Sequence, residues 1–331
     1  MKKDRVIEFM KGLTILLVVI AHVSKMYTPN GAIPVNGENA ILLYLTNFIY
    51  TFHMPVFVAI SGMVFYICKV NHKKYDDKLA FVKNKFKRLM IPFITFLLVL
   101  VIPVMHVVNL WGGGGVGNVL LMKDLRHLWY LPTLFFILIF FNCLEPIIRK
   151  YKHISFIILL LINLVSGFFP HCFQISNVAK FLFYFYLGYL FEEWREKHNS
   201  ITIQSFLIVL AFQIVCFIGI TLLTGKRSFG LHSVLNVLCA SSGLYIVYSL
   251  CHMISRIKSR LVSSFMAVMS RDSYGIYLFH PMIIYLLFYA IRNESYNSWL
   301  VFLIITVTAL SLSMLLTRII RKTPLRVCIG E

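Results

Sequence analysis

The sequence predicts an all-α, polytopic integral membrane protein, built as a single membrane-embedded domain over residues 1–331. The chain is 59% hydrophobic and only 14% charged, which is more apolar surface than a water-soluble protein of this size buries. Apolar runs of about 20 residues recur along it, and that is the length of a helix that crosses a bilayer. Because a helix satisfies its own backbone hydrogen bonds in lipid, these runs are expected to be helices.

The apolar runs predict about ten transmembrane helices. In chain order the predicted spans are 6–26, 41–68, 89–110, 127–148, 154–171, 178–192, 201–223, 231–254, 271–290 and 299–319. The longest inner connection, residues 69–88, is too short to fold alone, so no second domain is expected. No cleavage site of a secretory signal follows the first run, which is therefore predicted to be an uncleaved span.

The distribution of basic residues predicts that both termini lie inside (N-in and C-in). With that orientation, 23 Lys and Arg fall on the inner side and 7 on the outer side, as the positive-inside rule requires. The seven on the outer side are Lys25, Lys123, Arg126, Lys180, Lys226, Arg227 and Arg292. The net charge of +19 is thus explained by topology and by contact with anionic membrane lipid, and no nucleic-acid partner is expected.

Ionisable residues inside the first span are the strongest sign of function. Lys11 and His22 lie eleven residues apart, about three helical turns, so both side chains point to nearly the same face, roughly 16 Å apart along the axis. Glu8 lies one turn before Lys11. A Lys at the centre of a membrane helix costs about 2.5–3.5 kcal/mol, so an internal site is predicted.

Further polar residues interrupt four other spans. They are His53, Ser61 and Gly62 in the second, Arg88 at the start of the third, His127, Trp129 and Tyr130 at the start of the fourth, and Arg271, Tyr277 and His280 in the ninth. At 1.5 Å per residue, His22 and His53 lie about 24 and 22 Å above the inner surface, and His280 only about 13 Å. One polar site between the first two spans is therefore plausible. Lys11, Arg88 and Arg271 lie lower, where a polyphosphate from the cytosol could be held.

Each of these residues also has a structural interpretation. His22, His53 and His280 are also compatible with hydrogen-bonded packing, and His127 with an interfacial position. Glu8 and Lys11 are also compatible with neutralising each other. Arg88 also fits an interfacial, snorkelling residue, and Trp129 and Tyr130 an aromatic belt. The Ser61–Gly62 pair is also typical of close helix packing. The seven cysteines are isolated and predict neither a disulfide nor a metal site.

Five segments occur in an order that resembles a known family. They are KGLTILLVVIAH, FHMPVFVAISGMVF, KRLMIPF, HLWYLPTLFF and SYGIYLFHP, with TPLRVCIGE closing the chain. Together they resemble the integral-membrane acyltransferase-3 family, and within it the O-acetyltransferases of sugars and surface polysaccharides, the fucose 4-O-acetylase-like branch. The resemblance covers nearly the whole chain. It implies transfer of an acetyl group from cytosolic acetyl-CoA to a hydroxyl of a cell-surface glycan or lipid-linked sugar, in the capsule, O-antigen or another exopolysaccharide of a bacterial cell membrane.

The resemblance also implies roles for individual residues. The family's Arg-x10-His motif falls on Lys11 and His22, with Lys in place of Arg, and its acidic residue falls on Glu8. Its Ser-Gly piece corresponds to Ser61 and Gly62, its CoA-binding arginine to Arg88, and its late Tyr-x-x-His piece to Tyr277 and His280. A Lys keeps the charge of an Arg but loses the planar fork that binds phosphate in two places.

The resulting hypothesis is an enzyme with His22 as general base or acyl carrier. Glu8, Lys11 and His53 complete the predicted catalytic group. Arg88, Lys11, Ser61, Gly62 and Arg271 are predicted to bind acetyl-CoA, and His127, Trp129, Tyr130, Tyr277 and His280 the acceptor. Acetyl-CoA is expected as a co-substrate, with no tightly bound cofactor, and a homo-oligomer is an admissible assembly. The alternative from another class is a flippase or transporter of a lipid-linked saccharide.

Overall fold

A computed structural model describes residues 4–33, 35, 39–110, 115–198, 201–223 and 229–331. Within these ranges the secondary structure is entirely helical, so the predicted fold class is confirmed. Four cations counted in the charge analysis, Lys2, Lys3, Lys226 and Arg227, lie outside the described residues.

The helices follow the apolar runs of the sequence. They are α1 (Arg5–Ser24), α2 (Ala40–Tyr50), α3 (His53–Tyr66), α4 (Lys78–Lys85), α5 (Ile91–Phe96), α6 (Ile102–Val107), α7 (Gly115–Leu120), α8 (Tyr130–Lys150), α9 (Lys152–Leu164), α10 (Ile175–Lys197), α11 (Ile203–Leu223), α12 (Phe229–Arg256), α13 (Arg260–Ile291) and α14 (Ser298–Arg321). Turns of 3₁₀ or π geometry join several of them, and a 3₁₀ segment, Pro324–Ile329, closes the chain.

Eight helical stretches in the described part of the chain are long and apolar enough to cross a membrane. The other two predicted spans are also helices, but they do not meet the same criteria. Helix α9 has 13 residues, which at 1.5 Å per residue is about 20 Å, shorter than a hydrocarbon core. Helix α10 has 23 residues and ends in the charged sequence EEWREK. It packs against α3, α8 and α9 and belongs to the core of the bundle.

Two of the spans contain breaks. Helix α2 ends at Tyr50, and α3 begins at His53 after a turn through Thr51 and Phe52. The stretch Lys78–Val107 contains Pro92 and Pro103. A five-residue π turn ends two residues before each of these prolines. Proline lacks the N–H that an unbroken helix needs, which explains the local change of hydrogen bonding.

Glycines hold the central helices close together. A Cβ at Gly62 of α3 would lie 2.0 Å from the carbonyl oxygen of Phe185, and one at Gly188 of α10 would lie 1.9 Å from that of Ala59. Helix α1 packs on α13 in the same way, since a Cβ at Gly12 would lie 3.0 Å from the carbonyl oxygen of Met266. Small residues at such crossings let membrane helices approach closely.

Several ion pairs lie at the inner end of the bundle, the end to which the distribution of Lys and Arg assigns most of the cations. Asp272, which is fully buried, accepts hydrogen bonds from Arg271, Arg318 and Arg321 and so ties α13 to α14. Arg195 of α10 pairs with Asp4 in front of α1 at 2.7 Å. The start of α1 and the ends of α10 and α14 therefore carry the inner charges, as the predicted topology requires.

Candidate active site

A cavity of about 510 Å³ opens at the opposite end of the bundle. Its lining includes every one of the four histidines singled out in the sequence and, among others, Trp129, Gln174, Asn177, Asn236, Tyr277 and Tyr285. Four cations, Lys25, Lys123, Arg126 and Lys180, also line it, and we refer to them as the basic rim. All four belong to the small set of cations assigned to the outer side, so the cavity opens outward in the predicted topology.

His22 is the most accessible of the four histidines. It is half-buried, whereas His53, His127 and His280 are 3%, 7% and 0% exposed. The His22 ring makes an edge contact with His280, with ring centroids 5.1 Å apart, and a looser one with Tyr50 at 6.2 Å. The ring that a substrate in the cavity reaches most readily is therefore that of His22.

Backbone carbonyls fix the other three imidazoles. Nδ1 of His53 donates to the carbonyl of Ile49 at 2.9 Å, and Nδ1 of His280 donates to that of Ile276 at 2.7 Å. Nε2 of His127 donates to the carbonyl of Leu278 at 3.2 Å. A carbonyl can only accept, so each neutral ring keeps its second nitrogen as an acceptor.

Two of those second nitrogens are buried without a partner among the described residues. They are Nδ1 of His127 and Nε2 of His280, in rings whose centroids lie 6.2 Å apart. A buried acceptor without a donor costs free energy, and such groups in native proteins call for an explanation. Both side chains line the cavity, so a hydroxyl group bound there would supply the missing donor.

Tyrosines connect the histidines to the neighbouring helices. The Tyr277 hydroxyl donates to the carbonyl of His127, which joins α13 to the turn before α8. The ring of Tyr130 lies 5.5 Å from that of Tyr277, and its hydroxyl lies 3.3 Å from the hydroxyl of Ser61. Trp129 packs on Phe181 at 5.0 Å between ring centroids. All the residues predicted to bind the acceptor except Tyr130 therefore line the cavity, and Tyr130 lies behind them with Ser61.

The predicted height of His280 was wrong. The predicted span begins at residue 271, at the charged pair Arg271 and Asp272. Helix α13 instead begins at Arg260, so His280 lies about 30 Å from its inner end at 1.5 Å per residue. The buried carboxylate of Asp272, bound by arginines, lets the helix continue past these charges. His280 therefore joins His22 and His53 at one level.

Seven of the predicted site residues do not line the cavity as the structure describes it: Glu8, Lys11, Ser61, Gly62, Arg88, Tyr130 and Arg271. Glu8 and Lys11 are half-buried on the inner half of α1. Arg88 and Arg271 are exposed near the inner end, where Arg271 donates to Asp272 and the carbonyl of Arg88 accepts from Tyr274. Gly62 packs against the backbone of α10. Their roles toward acetyl-CoA remain predictions.

The sequence did not single out the basic rim as part of the site. The signal was present, because only seven cations fall on the outer side and four of them line one cavity. The charge bias indicates on which side of the membrane these cations lie, but not that they lie around one cavity. Three of the four lie outside the spans that carry the histidines and reach the cavity only through the tertiary packing of α8 and α10.

One comparison with known proteins identifies the family. The model of an acyltransferase family, described as "Acyltransferase domain" (Acyl_transf_3), matches residues 4–318. Searches of curated proteins and of solved structures found no significant match. The matched region contains all the helices that line the cavity and nearly all of the chain. The chain therefore belongs to the acyltransferase-3 family and is a membrane-embedded acyltransferase.

Proposed function

We propose that this enzyme transfers an acetyl group from cytosolic acetyl-CoA to a hydroxyl of a cell-surface glycan or lipid-linked sugar, in the cell membrane of a bacterium. The observation that carries the proposal is the accessible His22 ring beside His280 in a cavity that opens outward. A cavity of about 510 Å³ is large enough for part of a saccharide. The amide and phenol groups on its walls are the kind of partners that sugar hydroxyls use.

His22 acts as general base in this proposal. One of its ring nitrogens takes the proton of the acceptor hydroxyl as the oxygen attacks the thioester carbonyl. The carbon–sulfur bond then breaks, and the imidazolium returns the proton to the departing CoA thiolate. In the relay version, a neutral nitrogen of His22 attacks the thioester carbonyl, and CoA leaves as the thiolate. The acceptor oxygen then attacks the acetyl-imidazolium, the ring leaves as neutral imidazole, and the hydroxyl proton passes through water to the CoA thiolate. Both versions need the same accessible nitrogen.

His280 is proposed to hold the acceptor or the His22 ring in place. Its Nδ1 donates to the carbonyl of Ile276, so Nε2 accepts a hydrogen bond from a hydroxyl or from His22. The two rings meet edge to face at 89°, an arrangement that directs the edge of one ring at the other. His280 is fully buried, which suits positioning better than proton exchange with a mobile substrate.

The donor is proposed to approach from the inner end of α1. Lys11 and His22 share one face of this helix about 16 Å apart, a separation that an extended pantetheine arm can bridge. In this arrangement Lys11, Arg88 and Arg271 contact the phosphates of CoA, and the thioester reaches His22 from below. Acetyl-CoA is cytosolic and the rim side of the cavity is outside, so the two substrates meet at His22 from opposite sides of the membrane.

Purified protein in lipid nanodiscs tests this proposal. We expect the wild type to turn over [acetyl-¹⁴C]CoA, slowly by hydrolysis alone and faster with envelope glycan added. Loss of a general base typically costs 10²- to 10⁴-fold, so His22→Ala is expected to lose at least about 100-fold in kcat. The matched control is His153→Ala, which removes an exposed histidine on α9 and is expected to retain wild-type turnover.

A His22→Ala protein that turns over acetyl-CoA at the wild-type rate would rule out both the base and the relay. NMR spectra of envelope glycans from cells that carry wild-type or His22→Ala protein then identify the acceptor. The proposal expects an O-acetyl signal that disappears with the histidine. An unchanged glycan together with accumulation of an untranslocated lipid-linked saccharide would instead favour a flippase.

A further inference from the structure

We propose that the acceptor carries a negative charge, as a carboxylate or phosphate on the saccharide, and that the basic rim binds it; this inference rests on the proposed function. The rim gathers four of the seven cations assigned to the outer side around a single cavity. Only one carboxylate, Asp124, accompanies them among the described lining residues. A cluster of one sign in a concave site raises the local concentration of ligands of the opposite sign.

Two members of the rim are available to a ligand. The contacts that the structure gives to the ammonium groups of Lys25 and Lys180 are with aromatic rings, Tyr50 at 5.3 Å and Phe181 at 5.7 Å. No acidic side chain in the described part of the chain forms an ion pair with either lysine. An ammonium on an aromatic face keeps its N–H donors for an anion on the open side.

Arg126 has a different position. Its guanidinium donates to the carbonyl of Leu110 at 2.6 Å and lies 3.5 Å from Asp124. These contacts fix the turn that leads into His127, so Arg126 shapes the rim as well as adding charge. Lys25 and Lys180 are therefore the residues whose replacement tests charge recognition with the least effect on the backbone.

The location of Lys25 links charge recognition to the reaction. Lys25 follows His22 by three residues, about one helical turn, and both side chains contact the ring of Tyr50. An anionic group bound to Lys25 would thus place the rest of the sugar ring beside His22. Lys180 lies near the opposite wall, because Phe181 packs on Trp129. Such a site selects the acceptor by its charge and orients it by two separate contacts.

Equilibrium binding in nanodiscs of neutral lipid tests the inference without any need for turnover. The probes are a glucuronic-acid-containing tetrasaccharide, its carboxyl-reduced counterpart and a phosphorylated tetrasaccharide. Charged hydrogen bonds are strong enough that we expect the acidic probes to bind at least about tenfold more tightly than the reduced one. Raising the salt from about 0.1 M to 1 M shortens the screening length from about 10 to 3 Å and should remove most of this preference. The tighter of the two acidic probes distinguishes carboxylate from phosphate.

The double variant Lys25→Gln/Lys180→Gln is expected to lose the tenfold preference and its salt dependence. Arg292→Gln is the matched control, because Arg292 is another outer cation, held on the ring of Tyr289 and away from the cavity. It should bind all probes like the wild type. The unfolding temperatures of the three proteins show whether a loss of the preference for acidic probes comes from a destabilised fold. The comparisons of salt concentration and of carboxyl-reduced probe use the wild type alone, so they do not depend on any variant.

Equal binding of acidic and carboxyl-reduced probes by the wild type would overturn the inference. Loss of the preference for the acidic probes when phosphatidylglycerol is added to the nanodiscs would also overturn it, since a lipid headgroup would then occupy the rim. The proposed function fails separately. A protein that prefers the acidic probes but never turns over acetyl-CoA refutes acetyl transfer, whereas one that acetylates acidic and reduced probes equally well refutes only the rim.

Discussion

Four histidine rings lie together in the candidate active site. Three of the rings are held by backbone carbonyls, and the fourth, His22, is held by packing and is open to the cavity. An ionisable residue in an apolar run is costly, so the sequence was sufficient to single out His22, His53 and His280. His53 and His280 each donate to the carbonyl four residues earlier in the chain, so their bonded nitrogen is set locally. The bonded nitrogen of His127 depends on a tertiary contact with Leu278, which no local pattern in the sequence encodes.

Lys11 is the residue whose predicted role most needs a test. It lies on the inner half of α1 and does not line the outward cavity. If it binds a CoA phosphate, Lys11→Met should raise KM for acetyl-CoA about tenfold, since a charged hydrogen bond contributes about 1.5–3 kcal/mol. The fall in kcat should be smaller than the rise in KM, because the residue is distant from the reacting carbonyl.

Steady-state kinetics with acetyl-CoA as the varied substrate distinguishes these outcomes. Lys258→Gln is the control, because Lys258 is an exposed inner cation between α12 and α13 and is expected to leave KM unchanged. If Lys11→Met instead lowered kcat with KM unchanged, Lys11 would act on the transition state and not on the CoA phosphates.

At the scale of helices, the contact between α3 and α10 shows that a sequence motif does not identify the helix against which it packs. The Ser61–Gly62 pair was predicted to bind CoA and was also compatible with close packing. In the structure Gly62 lies against the carbonyl of Phe185, and Gly188 lies against that of Ala59. Ser61 is directed to Tyr130 instead. Adjacent residues of one motif therefore face different partners, and the partner helix could not be identified from the sequence.

Gly62→Ala is expected to destabilise the protein. The added methyl group would lie 2.0 Å from a backbone oxygen, so the two helices must move apart. Overpacking of this kind costs about 1–3 kcal/mol. The unfolding temperature in detergent should fall by several degrees, since a change of 1 kcal/mol shifts it by about 2–4 °C in proteins of 150–250 residues.

Gly230→Ala is the matched control, because no heavy atom lies within 4 Å of the position of its Cβ. It should leave the unfolding temperature unchanged or raise it slightly, as alanine favours a helix. A Gly62→Ala protein with wild-type unfolding temperature but a raised KM for acetyl-CoA would restore the cofactor-binding interpretation of this glycine.

The ends of individual helices were also not fully predictable from the sequence. Existence and order of the helices followed from apolar runs, but the start of α13 was misplaced by eleven residues. The error came from Arg271 and Asp272: the Asp272 carboxylate pairs with Arg271 and with Arg318 and Arg321 of α14, more than 40 residues further along the chain. The break between α2 and α3 was not predicted, because its turn contains neither glycine nor proline.

For the whole molecule, charge predicted the topology but not the cavity. The inner end carries the ion pairs of Asp272 and Arg195, and the outer end carries the basic rim around the histidines. In the proposed function, this polarity corresponds to a donor that arrives from the cytosol and an acceptor that arrives from the other side. Cavities form where several helices fail to fill space, and that depends on packing that no single segment determines.

The orientation of membrane vesicles tests this central claim most directly. Sealed inverted vesicles expose the inner loops, so external [acetyl-¹⁴C]CoA should label glycan enclosed in their lumen without detergent. Sealed right-side-out vesicles should show labelling only after permeabilisation, and inverted vesicles with His22→Ala should show almost none. Equal labelling by both sealed orientations, or undiminished labelling with His22→Ala, would contradict transfer at His22 between substrates from opposite sides.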